Sequence, residues 1–172
     1  MMALISAGRI YIMKEIRYKP IGVIQSPFKT SAGMPIQPAG AKGVRGTIKI
    51  NRDFLDGIKD LEGFSHLILI YHFHLSTDFK LSVIPFLDDS PRGVFATRAP
   101  KRPNPIGLSV VKLNRIEADM IYIENVDIID GTPLLDIKPY VPAFDVFKNA
   151  KVGWLADKEK AVPKKKSDNR FK

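Results

Sequence analysis

Apolar and polar positions alternate along most of the chain in short runs rather than recurring at helical spacing. Strands are expected at Tyr18–Gln25, Val44–Ile50, His66–His74, Gly93–Arg98, Ile106–Arg115, Met120–Ile129 and Leu134–Lys138. These runs are rich in Val, Ile, Tyr, Phe and Thr, and Gly, Pro, Asn and Asp separate them. The clearest pair, Ile106–Arg115 with Met120–Ile129, reads as a hairpin across a four-residue loop, Ile116-Glu117-Ala118-Asp119. Leu67-Ile68-Leu69-Ile70-Tyr71 is apolar on both faces, as in a strand covered on each side. One short helix is expected at Asp53–Leu61, where Phe54, Leu55, Ile58 and Leu61 recur at helical spacing. Thirteen prolines and twelve glycines argue against long helices. The class is all-β: a small, closed or partly closed β-barrel with short helical insertions. Ser26 to Gly43 form a Pro/Gly/Ser-rich loop, and a loop of that length in a compact domain points to function. After Pro142 the pattern fades, and Val162–Lys172 is expected to be disordered.

Composition sharpens this picture. The chain has 172 residues, enough for one domain with a real core, and carries a net charge of +9. The last fifteen residues, Lys158 to Lys172, hold seven basic and two acidic groups, so the tail carries more than half of that excess. A basic body with a basic tail favours a polyanionic partner, nucleic acid before anionic membrane, although a solvated tail serves solubility as well. The absence of cysteine excludes disulfides, thiolate metal sites and thiol nucleophiles, and suits an intracellular protein. The opening residues lack the basic and apolar regions of a signal peptide, and no apolar run approaches the roughly 20 residues of a membrane span. A cytoplasmic location is expected. Met13-Lys14-Glu15 looks like an equally natural start, which makes residues 1–12 a loose extension.

No G-x-G-x-x-G, Walker A, H-E-x-x-H or G-x-S-x-G occurs, so the familiar dehydrogenases, NTPases, zinc proteases and serine hydrolases drop out. Three constellations remain. His66, His72 and His74, all of the histidines, share one face of a predicted strand. Their spacing is poor for a metal, because His66 lies roughly 20 Å along the strand from His72. No metal is expected. His66 reads as structural, whereas His72 and His74, at the strand end, suit hydrogen bonding to a ligand.

The stretch Arg92 to Ser109 is richer: a loop with three prolines holds Lys101, Arg102 and Asn104 between two predicted strands. Proline fixes φ and removes a donor, so the loop is stiff and loses little entropy on gripping a ligand. Its arginines can fork onto carboxylate or phosphate, and Asn104 offers a donor and an acceptor to an adenine edge or amide-like group. The third constellation gathers Asp127, Asp130 and Asp136 with Tyr140 around a Gly131-Thr132-Pro133 turn. Such carboxylates accept from a ribose diol or an amine, or act as a base. Asp130 reads first as turn chemistry.

Ile21 to Phe28, Phe64-Ser65-His66-Leu67, Gly93 to Ser109 and Asp130 to Pro142, in that order, resemble the TsaA-like or TrmO family of tRNA methyltransferases. The resemblance divides the chain into an N-terminal extension (1–17), the barrel domain (18–145) and a C-terminal segment with its basic tail (146–172). It implies a dimeric β-barrel that uses S-adenosylmethionine to methylate N6 of threonylcarbamoyl-adenosine beside the anticodon of tRNA. It places the cofactor against Pro38, Ala39, Gly40, His74, Leu75, Arg98, Leu108, Asp127, Ile128, Ile129 and Asp130. Ile36 stands where the family carries an arginine before Gln37-Pro38, so any contact that arginine makes is either lost or supplied elsewhere, with Lys42 and Arg45 as the candidates; Leu75 replaces a glutamine. The chain ends without the extra C-terminal domain of some members, which leaves RNA grip to the barrel and the lysine tail. Asn104 is expected to orient the urea-like N6 and Asp136 to accept its proton. Lys101 and Arg102 are expected to hold the phosphate backbone or the threonyl carboxylate. Trp154 is expected to pack at the domain edge. The alternatives from other classes are a non-catalytic S-adenosylmethionine- or RNA-binding module and a cupin-like metal enzyme.

Overall fold

The computed structural model describes residues 2–6, 9–13 and 15–171. Its strands are β1 (Met2–Ser6), β2 (Arg9–Met13), β3 (Gly22–Gln25), β4 (Arg45–Ile50) and β5 (His66–His72), followed by β6 (Ser82–Val83), β7 (Arg92–Gly93), β8 (Ile106–Glu117), β9 (Met120–Glu124) and β10 (Thr132–Pro139). Six of them close a barrel in the order β10-β3-β4-β9-β8-β5, every neighbouring pair antiparallel. β1 pairs with β2, and β6 with β7, as separate two-stranded ribbons.

The alternation read from the sequence is what fills this barrel. Along β5 the inward positions are Leu67, Leu69 and Tyr71, and along β8 they are Gly107, Ser109, Val111 and Leu113. With Ile24, Ile48, Ile121, Ile123 and Leu134 they form one apolar core. Each fully buried Leu or Ile contributes about 2 kcal/mol from area removed from water. Closure leaves the six-stranded barrel itself without an edge strand. The outward residues of β5, Ile68 and Ile70, are half-buried, so this strand is covered more on one face than the other.

Several elements differ from expectation for identifiable reasons. Gly93–Arg98 is not a strand: after two paired residues the chain winds into a 3-10 turn at Val94–Ala96. Thr97 donates its hydroxyl to the Val94 carbonyl (2.9 Å), and the Arg102 guanidinium donates to the carbonyls of Val94 (3.0 Å) and Thr97 (2.9 Å). These side-chain bonds satisfy backbone groups that a ladder would otherwise need. The expected helix is a pair of 3-10 turns, Arg52–Ile58 and Leu61–Gly63, broken by Asp60 in the left-handed region. Phe54, Leu55, Ile58 and Leu61 nevertheless face the barrel core as their spacing implied. The β8–β9 hairpin turns on two residues, Ala118-Asp119, rather than four, with Glu117 opposite Met120. β9 stops at Glu124 because Asn125 adopts a positive φ of 69°.

The tail also departs from its expectation. Residues 153–171 form 3-10 turns, and Pro35 bridges to Lys166. Apolar periodicity could not announce this, because ion pairs and side-chain-to-backbone bonds hold the segment. Lys158 and Arg92 both pair with the Asp88 carboxylate, whose side chain is only 7% exposed. Trp154 packs at the domain edge, donating its indole N–H to the Ala96 carbonyl (2.7 Å).

Candidate functional site

A cavity of about 580 Å³ opens beside the β5–β8 wall. It is walled by that pair, the loop 29–37, the turn 97–102, the 127–132 segment and the C-terminal tail. A volume of this size suits one small ligand of nucleotide dimensions.

The wall is set by register. Tyr71 lies opposite Gly107, and Leu69 opposite Ser109. Gly107 is required by close approach: a Cβ there would stand 2.2 Å from Tyr71 Cε2 and 2.9 Å from Phe73 Cζ. Without it the two aromatic rings, packed edge to face at 5.4 Å, line the cavity. Ser109, fully buried, donates to Asp127 Oδ1 (2.7 Å), so the Tyr71 hydroxyl at 3.0 Å is the donor to Ser109 Oγ. A directed chain, Tyr71 to Ser109 to Asp127, thus ends on a carboxylate facing the cavity. Burial pushes the Asp127 carboxyl up to about 6, offset by the Ser109 hydrogen bond and the positive charge of Arg98. Burial and the Asp127 charge together raise the Tyr71 phenol well above its ordinary value.

His74, just past β5, completes the polar side. The Thr132 hydroxyl donates to the Ile129 carbonyl (2.7 Å), so its oxygen accepts from His74 Nδ1–H (3.2 Å). Nε2 is then the bare acceptor nitrogen. Burial first and the neighbouring His72 second lower the His74 pKa, favouring this neutral ring. Arg98 reaches across the cavity and donates to Gln37 Oε1 (2.9 Å).

The residues singled out from the sequence divide by placement. His74, Leu75, Arg98, Arg102, Leu108, Asp127, Ile128 and Ile129 line the cavity together. Pro38, Ala39 and Gly40 form a 3-10 turn off the lining, where Gly40 backs onto the carbonyls of Val162 and Pro163. Asp130 also stands off it, latching the Ser26-Pro27-Phe28 turn: it accepts from the Ser26 amide (2.9 Å) and from Lys29 (2.5 Å), which hold its carboxyl low. Lys101 is 7% exposed, bonded to Asp78 and not among the residues that line the cavity. Asn104 is exposed, and Asp136 pairs with Lys138 (2.8 Å) at the bulge of β10; neither lines the cavity. Lys42 and Arg45 are absent from the lining as well, and Ile36 itself faces the cavity. His66 bonds Ser65 (3.0 Å) and meets the Tyr140 ring edge-on at 6.2 Å. Among the described residues no group of His, Asp or Glu gathers as a metal site, and no helix is long and apolar enough to cross a membrane.

Sequence reasoning missed Tyr71, Ser109 and Thr132. A signal existed: each is a hydroxyl at an inward-facing position beside apolar inward neighbours (Leu69, Val111 and Leu134), and a buried hydroxyl must find a partner. It also missed Ser167, Asp168 and Phe171 of the tail, which line the cavity and carry no such mark.

Residues 23–146 match the tRNA-methyltransferase O N-terminal domain. A probable S-adenosyl-L-methionine-binding protein of Pyrococcus abyssi is 52% identical over 91% of this chain and 85% of its own length. A mouse tRNA (adenine(37)-N6)-methyltransferase is 39% identical over 78% of this chain, which spans 33% of that enzyme. The crystal structure of TrmO from Pseudomonas aeruginosa superposes with a TM-score of 0.70 at 38% identity, over 82% of this chain and 63% of the other.

Proposed function

The chain belongs to the TsaA-like or TrmO family, and on that footing we propose that it is an S-adenosylmethionine-dependent tRNA methyltransferase. Its proposed acceptor is N6 of threonylcarbamoyl-adenosine beside the anticodon. The observation that carries this reading is the cavity itself: its barrel and loop walls lie within the matched segment, and a carboxylate and a guanidinium face it together.

The side chains present fit the cofactor's chemistry. Asp127 supplies the negative charge that a sulfonium or ammonium seeks, and Arg98 supplies a fork for a carboxylate. Phe73, Leu75, Leu108, Phe86 and Phe171 give the apolar surface that an adenine ring requires. When bound, S-adenosylmethionine contributes an electrophilic methyl on positive sulfur. The protein's own work is then alignment, exclusion of water and handling of one proton. Asn104 and Asp136 lie outside the lining of a single chain, and the Asp168 carboxylate that faces the cavity is clasped by Arg170, which leaves His74 Nε2 and Asp127 as the proton acceptors of the barrel side. We assign the proton to His74, whose ring is held neutral and whose Nδ1 is fixed by Thr132. Arg102 and the lysines of the tail are assigned to the polyanionic substrate. Ile106 and Leu108 line the cavity yet remain exposed, which supports a second copy of the chain closing over it. A cytoplasmic site of action follows from the proposed substrate.

Mass spectrometry of nucleosides from threonine tRNA bearing the modification, incubated with S-adenosylmethionine and the protein, tests the reading. One added methyl on that nucleoside is expected. No gain, with cofactor binding measured separately, replaces the enzyme by a binding module.

A further inference from the structure

The C-terminal segment does not trail into solvent but crosses the rim of the cavity, and four independent contacts fix its path. Lys158 is pinned to Asp88 at 2.7 Å, beside Arg92 on the same carboxylate. Pro35 bridges Lys166, while Ser167 accepts from the Gly33 amide (3.0 Å), donates its own amide to the Met34 carbonyl (2.9 Å) and bonds the Ser31 carbonyl through its hydroxyl. Arg170 donates to the Pro85 carbonyl (2.7 Å) and clasps the Asp168 carboxylate through two nitrogens. Phe171 packs against Val83, Val94 and Ala99 and meets the Phe86 ring edge-on at 5.0 Å. Ser167, Asp168, Phe171 and Phe86 all face the cavity.

We propose that residues 158–171 are a strap that completes the cofactor site, with Phe171 and Phe86 as the aromatic wall that receives the purine of the adenosyl group. This rests on the S-adenosylmethionine reading and adds to it a binding element outside the matched family segment, which ends at residue 146. Three physical points carry it. The barrel's own edge-to-face pair, Tyr71 and Phe73, has its Tyr71 ring buried against Gly107, whereas Phe86 and Phe171 are both partly exposed and together offer the flat apolar surface that a base requires. A strap fixed by backbone bonds is pre-organised and loses little entropy when the ligand arrives. The segment's basic residues are also divided in role: Lys158 and Arg170 are consumed by contacts within the protein, while Lys160, Lys164 and Lys166 remain exposed for a polyanion. One segment therefore links the small ligand on its inner side to nucleic acid on its outer side.

The experiment is calorimetry with S-adenosylhomocysteine and S-adenosylmethionine, without RNA, on the full chain and four variants. Deletion of 166–172 and Phe171→Ala are each expected to weaken both ligands at least tenfold, and Phe171→Tyr to restore affinity to within threefold. Lys59→Ser, an exposed position outside both the strap and the cavity lining, is expected to bind both ligands within twofold of the unchanged chain. Trypsin supplies a readout that needs no variant: ligand is expected to slow cleavage after Lys164 to Lys166 at least fivefold. Full affinity in the deletion and Phe171→Ala proteins, or cleavage unaffected by ligand, overturns the strap and leaves the S-adenosylmethionine reading standing. An unchanged chain that binds neither ligand overturns both.

Discussion

On β5 and β8 the cavity's polar groups are placed by backbone register, with Tyr71 across from Gly107 and Ser109 across from Leu69. At the rim, Arg98, Gln37 and Phe171 are placed instead by side-chain contacts between loops that share no ladder. A ladder fixes position cooperatively, since moving one residue breaks its neighbours' bonds too. A loop contact is fixed one bond at a time and opens at lower free energy. The comparison teaches a division of labour: the wall holds the charged chain that must not move, and the rim supplies shape and a way in. Substitutions at the wall are therefore expected to register as stability, and those at the rim as affinity.

The largest effect is expected where the wall is tightest. Gly107→Ala places a methyl inside the Tyr71 ring, which cannot swing away without disturbing Phe73 behind it. Overpacking of this kind costs about 3 kcal/mol, and it displaces the phenol that donates to Ser109. Chemical denaturation is expected to show that loss together with weaker ligand binding. A fully stable Gly107→Ala protein breaks the distinction between wall and rim.

Asp127 sharpens the comparison through pH. Its carboxyl sits at about 6 in the folded protein, against roughly 4 in an unfolded chain. The native state thus keeps a proton that the unfolded chain releases. The resulting stability is fully present below about pH 4 and is lost as pH climbs past 6, by about 3 kcal/mol. Asp78, Asp88 and Asp130, held low by their cationic partners, act in the opposite sense as pH falls through their own folded values. The measurement is therefore the difference between the unchanged chain and Asp127→Asn in thermal melts across pH 4.5 to 7.5. That difference is expected to change across the window, and affinity for a cationic ligand is expected to rise as the carboxyl ionises.

At the rim, Arg98→Ala is expected to leave the melting temperature unchanged and to weaken cofactor binding by about 2 kcal/mol, or roughly thirtyfold, the worth of a charge-assisted hydrogen bond. Arg98 is exposed, and among the described residues its side-chain partner is Gln37, itself exposed enough to turn to water. Unchanged affinity removes Arg98 from the site.

The same contrast explains what the sequence made legible. The barrel was readable because burial on one face writes a period of two into β3, β4, β5, β8 and β9, and the wall residues inherit that period. Asp127 and Arg98 were readable from the family's motifs. What escaped was anything held by single contacts between distant segments. Lys101 looks like a ligand-binding cation in the sequence, but its partner Asp78, twenty-three residues earlier, carries no mark of the pairing. The tail looks disordered because its four anchors are polar or singly aromatic. Turn lengths escaped as well: Ile116 and Glu117 read as loop until the ladder continues through them.

That last turn supplies the smallest effect and the cleanest control. Ala118 carries a φ of 52° in a two-residue connection, where hairpins of this kind favour glycine at the first position. An alanine held in the left-handed region loses about 1 to 2 kcal/mol, of which Gly recovers most before its greater freedom in the unfolded chain takes back a part. Ala118→Gly is expected to stabilise the protein by about 0.5 kcal/mol net. Because Ala118 lies eleven residues along the same strand direction from Gly107, roughly 35 Å away at strand rise, cofactor affinity is expected to stay unchanged. Differential scanning calorimetry with and without ligand checks both parts. A rise in stability with equal affinity shows that the ladder's far end strengthens the barrel without tuning the site. A change in affinity instead means that β8 transmits strain along its length, and the rim would then be less independent of the wall than the geometry indicates.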